Sequence, residues 1–113
     1  MMESTTLSSE VTQLHAELCS ALADPSRILI LYILSERPRN VSELALELSL
    51  TQSAASRHLK TLRERGLVQA TRRGATVEYQ LTDHRLIDAL DLLRTVLRDR
   101  LSYRASLVTE TEE

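Results

Sequence analysis

The stretch LTQSAASRHLKTLRERG, residues 50–66, reads as one short amphipathic helix with both ends marked. Thr51 is placed to cap its start, because a hydroxyl accepts from an otherwise unpaired backbone N–H, and Gly66 falls where a left-handed residue closes a helix. Ala55, Leu59 and Leu62 recur at helical spacing and form an apolar stripe for a core. The opposite face carries Gln52, Ser53, Ser56, Arg57, Lys60 and Arg63, hydrogen-bonding or cationic residues that are mostly short near the N-terminus. Short polar side chains let a helix approach base edges closely, so this is the grammar of a recognition helix, the second helix of a helix-turn-helix.

Working upstream, Ser49 to Thr51 form the turn, and the first helix of the pair runs from a Ser42 cap to about Leu48, with Val41 and Leu46 as a hydrophobic staple. A glycine is usual in such a turn and none is present here. Glu36 to Asn40 is a further turn, enforced by Pro38. Asp24-Pro25 starts the helix before it, since Asp caps and Pro is tolerated at the first helical position; this helix reaches about Ser35 and buries Ile28, Leu31, Tyr32 and Leu34. From Ser8 to Leu22 the spacing of Val11, Leu14, Leu18 and Leu22 predicts the first helix, and residues 1–7 are expected to be a flexible N-terminus.

Downstream, 67–72 and 76–81 are strand-like runs rich in branched residues, joined by Arg73-Gly74-Ala75. A β-hairpin after a helix-turn-helix, tipped by Arg72 and Arg73, is a wing whose cationic end can reach sugar-phosphate. Thr82 or Asp83 caps a last helix from His84 to about Tyr103, with Leu86, Leu90, Leu93, Leu97 and Leu101 on one stripe. That stripe exceeds what a small domain needs to cover, so part of it is expected to pack on a second copy, with the first helix as companion. The expected dimer contacts are Leu14, Leu18, Leu90, Leu93, Leu97 and Leu101. Residues 105–113 read as an acidic flexible tail, leaving 8–104 as one DNA-binding and dimerisation domain. The fold class is therefore mainly α with a small β-hairpin: five helices and a two-stranded wing, dimeric through the first and last helices.

Composition agrees. A chain of 113 residues holds one domain and a limited core, which favours oligomerisation. No apolar run approaches about 18 residues and no secretion signal is evident, which predicts a cytoplasmic protein without a membrane partner. A single cysteine, Cys19, excludes a disulfide or a multi-thiolate cage within one chain. The formal net charge is −2, yet residues 51–80 carry six Lys and Arg against two Glu, a local basic patch on an acidic body. Phosphate steering depends on such local potential and not on the total. Three scattered histidines, one cysteine and no glycine-rich loop leave no nucleophile with its base and no phosphate cradle, so an enzyme is not expected.

The order of elements, with LADPSRILILYIL at 22–34, VSELALEL at 41–48, TQSAASRHLKTLRERGLV at 51–68 and RRGATVEYQLTD at 72–83, resembles the ArsR/SmtB family of small dimeric bacterial repressors over about residues 10–104. The resemblance implies a homodimeric winged-helix repressor on a palindromic double-stranded DNA operator, released by an inducer. It also implies that Gln52, Ser53, Ser56 and Arg57 face base edges, with Lys60, Arg72 and Arg73 on phosphates, and Thr51 at the head of the helix is counted with them among the DNA-binding residues. His58 is expected to touch phosphate or to pack beside the wing.

Many members of that family sense metals, but their thiolate site at the third helix is absent, where Leu44 to Glu47 stand. On the last helix Asp83 matches the family carboxylate, while His84 stands one residue early and the distal positions hold Val96 and Asp99. His15 and Cys19 lie four apart on one helix face; they are a half-exposed interface residue and a small buried one, or two ligands of a site completed across the dimer. No cofactor and no metal site are expected, with His15, Cys19, Asp83 and His84 as the only ligand candidates. The inducer is left open among small molecule, metal and redox change. The alternatives are a metal sensor with an atypical site and a winged-helix protein-interaction module that does not bind DNA.

Overall fold

Caps and breakers set the boundaries of nearly every helix in the computed structural model, which describes residues 2–112, with side chains for 6–13 and 15–107. The chain divides into two units, Met1–Thr82 and Asp83–Glu113. The first unit opens with α1 (Met2–Glu10), a π-helical segment (Val11–His15) and α2 (Ala16–Ala21), continuous in backbone. Helix begins at Met2 and not near Ser8, because backbone hydrogen bonding needs no apolar stripe and neither Gly nor Pro stands before Pro25.

Asp24 then caps α3 (Pro25–Glu36): its carboxylate accepts from the Ser26 N–H at 2.8 Å, with Pro25 in the first turn. The α3 core is Ile30, Leu31 and Leu34, while Ile28 and Tyr32 are half-buried. Arg27 of α3 closes the C-terminus of α2, donating from Nε to the Ala21 carbonyl at 2.6 Å and from a terminal nitrogen to that of Ser20 at 3.3 Å.

The next helix, α4 (Val41–Leu48), starts one residue earlier than its Ser42 suggests. Asn40 is the cap: its side chain accepts from the Glu43 N–H at 2.8 Å and the Glu43 carboxylate accepts from the Asn40 N–H at 3.1 Å, a reciprocal capping box. The register shift also removes the expected staple, since Leu46 is 83% exposed and Leu44 takes the core position. Ser49 ends α4 in the left-handed region with φ 55°, supplying the turn that glycine usually makes.

Thr51 caps α5 (Gln52–Glu64), accepting from the Ala54 N–H at 3.0 Å, and Gly66 follows it with φ +76°. Ala55, Leu59 and Leu62 are fully buried, as their spacing predicts. Strands β1 (Val68–Arg73) and β2 (Thr76–Leu81) pair antiparallel from Val68 opposite Leu81 to Arg73 opposite Thr76. β1 packs on α5, and β2 on α3 and α4.

Arg39, expected as part of a plain turn, ties this unit together. Its backbone bridges Tyr79 of β2 in both directions, at 3.1 and 2.7 Å. Its buried guanidinium donates to the carbonyls of Ile33 and Arg37 at 2.8 and 2.7 Å and pairs with Glu47 and Glu36 at 3.4 and 3.5 Å.

The second unit is α6 (Arg85–Glu112), capped by Asp83, which accepts from the Arg85 N–H at 2.9 Å. It runs past Tyr103 through the segment read as a tail, since no Gly or Pro follows Gly74. Among the described residues no single helix is long and apolar enough to cross a membrane.

Candidate nucleic-acid interface

Burying Ala55, Leu59 and Leu62 turns the other side of α5 outward, and the sequence-predicted residues Gln52, Ser53, Ser56, Arg57 and Lys60 are all exposed there. Together with Val41 from the start of α4 they line one shallow groove. Thr51 is exposed at the head of α5 with its hydroxyl spent on the cap. Gln52 is held: its side-chain Nε2 donates to the Ser42 hydroxyl at 3.0 Å.

His58 falls half-buried on the flank of α5. It adds to the field that keeps the Asp24 carboxyl low: partial burial pushes that carboxyl up, but the Ser26 N–H and the nearby His58 and Arg27 outweigh it. At the tip of the wing Arg72 and Arg73 are exposed, on opposite faces of the hairpin by strand alternation. They have different company. Arg73 is paired to Glu78 at 2.7 Å, whereas Arg72 meets only the neutral Gly74 carbonyl at 3.5 Å among the described contacts.

The residues expected at a dimer contact divide. Leu93, Leu97 and Leu101 are more than half exposed, joined by Leu92 and Val96. Leu90 is buried within a single chain and has little surface left to offer. Leu18 is half-buried, and the side chain of Leu14 lies outside the described residues.

The ligand candidates do not assemble. No group of three or more His, Cys, Asp and Glu converges among the described residues. Cys19 is exposed where burial was expected of a free cysteine, and His15 is exposed beside it. Asp83 is committed to Arg85, which reaches both carboxylate oxygens, the shorter contact at 2.6 Å. Those side-chain bonds, with the Arg85 N–H, hold the Asp83 carboxyl down to about 2. A carboxylate already satisfied as helix cap and ion pair is a poor ligand, and His84 beside it is a lone exposed imidazole. Among the described residues of one chain, then, Asp83 and His84 do not form a metal centre.

Sequence reasoning missed three contributors: Val41 in the groove, the Ser42 to Gln52 contact, and Arg39. None of the three carried a local signal, whereas the α4 cap did, because Asn40 and Glu43 stand at capping-box spacing.

Residues 24–70 match the family described as bacterial regulatory protein, arsR family. The HTH-type transcriptional regulator CmtR of Mycobacterium tuberculosis is 46% identical over 83 residues, covering 73% of this chain and 70% of that protein. Among solved structures, Rv0081 of M. tuberculosis superposes with a TM-score of 0.76 at 38% identity, over 84% of this chain and 96% of that one. The homodimeric winged helix-turn-helix DNA-binding domain Mb0332 of Mycobacterium bovis gives 0.75 at 26% identity, over 85% and 89%.

Proposed function

The chain belongs to the ArsR family of bacterial regulatory proteins, and from that membership and the exposed face of α5 we propose that it represses transcription as a homodimer on a palindromic operator. It is a DNA-binding transcriptional regulator and not an enzyme. The observation that carries the reading is the groove in which Gln52, Ser53, Ser56, Arg57 and Lys60 stand together, exposed, on a helix whose far side is fully buried. Gln and Arg side chains offer the bidentate pairs that distinguish adenine and guanine, each good for roughly 1–3 kcal/mol of discrimination. Lys60, Arg72 and Arg73 supply phosphate contacts that set register without reading sequence.

The partner that completes the molecule is a second copy. The apolar stripe Leu93, Leu97 and Leu101 lies open on α6, a length of exposed hydrophobic surface that water disfavours, and the homodimeric Mb0332 domain supports the same assembly here. Release follows binding of an inducer, a small molecule, a metal or a redox change, and the protein works in the cytoplasm beside its operator.

Selection from a randomised duplex library by the full chain tests the reading. The expected result is enrichment of an inverted repeat with half-sites about one helical turn apart, roughly 34 Å, or a multiple of it. Failure to enrich any sequence over a scrambled duplex contradicts it.

A further inference from the structure

Ser42 does not cap α4; Asn40 does, which leaves the Ser42 hydroxyl exposed in the first turn of that helix. It is used there. Gln52, the first residue of α5, donates from Nε2 to Ser42 Oγ at 3.0 Å, across the turn that separates the two helices. Val41, the neighbour of Ser42, lines the same groove as Gln52. We propose that Ser42 is a positioning residue for base reading: it holds the Gln52 amide at the mouth of the groove before DNA arrives. The inference rests on the DNA-binding reading of α5.

The chemistry favours this arrangement. A glutamine amide has two N–H donors and one carbonyl acceptor. With one N–H given to Ser42, a second N–H and the carbonyl oxygen remain, which is the pair that adenine N7 and N6 require in the major groove. A free, exposed glutamine samples many rotamers and must be ordered on binding, at a cost of side-chain entropy. A tether made within the protein removes part of that cost in advance and leaves the reading atoms available.

The test uses the full chain, the duplex that the wild type enriches from a randomised library, and a scrambled duplex of the same composition. Ser42→Ala is expected to lower affinity for the enriched duplex by about three- to tenfold, the scale of one lost neutral hydrogen bond. Affinity for the scrambled duplex, the salt slope and the melting temperature stay as in the wild type. Ser42→Thr, which keeps the hydroxyl, restores binding, and in a Gln52→Ala background Ser42→Ala has no further effect. An equal fall on both duplexes, an undiminished effect in the Gln52→Ala background, or no effect at all overturns the inference while the DNA-binding reading stands. A wild type that enriches nothing removes that reading and this inference with it, an outcome no behaviour of the Ser42 variants imitates.

Discussion

Two arginines at the wing tip differ in what they must give up to meet a phosphate. Arg73 has to leave Glu78, at 2.7 Å, whereas Arg72 leaves only a carbonyl contact at 3.5 Å. Arg72→Ala is therefore expected to weaken binding to every duplex alike and to reduce the salt slope by about one, with Arg73→Ala doing less. Salt titrations of the two variants decide this, and a larger loss for Arg73→Ala contradicts it. Arg57→Ala is expected to relax preference at one position of each half-site, a change read by competition with single-base variants. Equal losses on enriched and scrambled duplexes remove Arg57 from base reading. At Asp83 the carboxyl is lowered to about 2 by the Arg85 side chain and N–H, against an ordinary value of 3.8. A depressed carboxyl stabilises the folded state above its unfolded value and loses that contribution as pH falls through the folded one. The first turn of α6 should therefore loosen between about pH 4 and 2, observable as Asp83 titrating near 2 by NMR; titration near 4 contradicts the capping pair.

At the scale of elements, what was legible in the sequence was whatever a local pattern determines. The buried stripe of α5, its Thr51 cap and its left-handed Gly66 follow from periodicity and from unpaired backbone groups, and each stands where the sequence puts it. The same reasoning misplaced the α4 cap because two capping residues, Asn40 and Ser42, stand within two positions, and the reciprocal Glu43 bond selects the first. Arg39 was not legible at all, since its bridge to Tyr79 joins segments forty residues apart in sequence. Arg39→Met removes a buried donor from two carbonyls and two carboxylates, and is expected to cost about 3 kcal/mol in urea unfolding. The backbone bridge to Tyr79 survives the substitution, so a change below about 1 kcal/mol would sink the role of the side chain in tying α3, the turn after it and α4 together. Ser49→Gly works in the other direction. A serine at φ 55° carries a left-handed penalty that glycine avoids, so the variant should gain about 0.5–1 kcal/mol, and a loss contradicts that account of the turn.

For the whole molecule, charge and apolar surface are divided between tasks. Basic residues gather on α5 and the wing of a chain with net charge −2, while large exposed aliphatics gather on α6. The sequence carried both features, as a run of cations in residues 51–80 and a leucine stripe in the last helix; it did not reveal that Leu90 is already buried within one chain. The stripe is the surface on which a second copy is proposed to pack, and a dimer in which each recognition helix reads one half-site predicts an operator whose symmetry mirrors that of the protein. Leu97→Glu places a charge in the middle of that stripe and is expected to yield a folded monomer with sharply weaker operator binding. Sedimentation equilibrium of the full-length wild type with its enriched duplex tests the central claim most directly: two chains per duplex is the predicted stoichiometry, and a single chain bound at full affinity would contradict it.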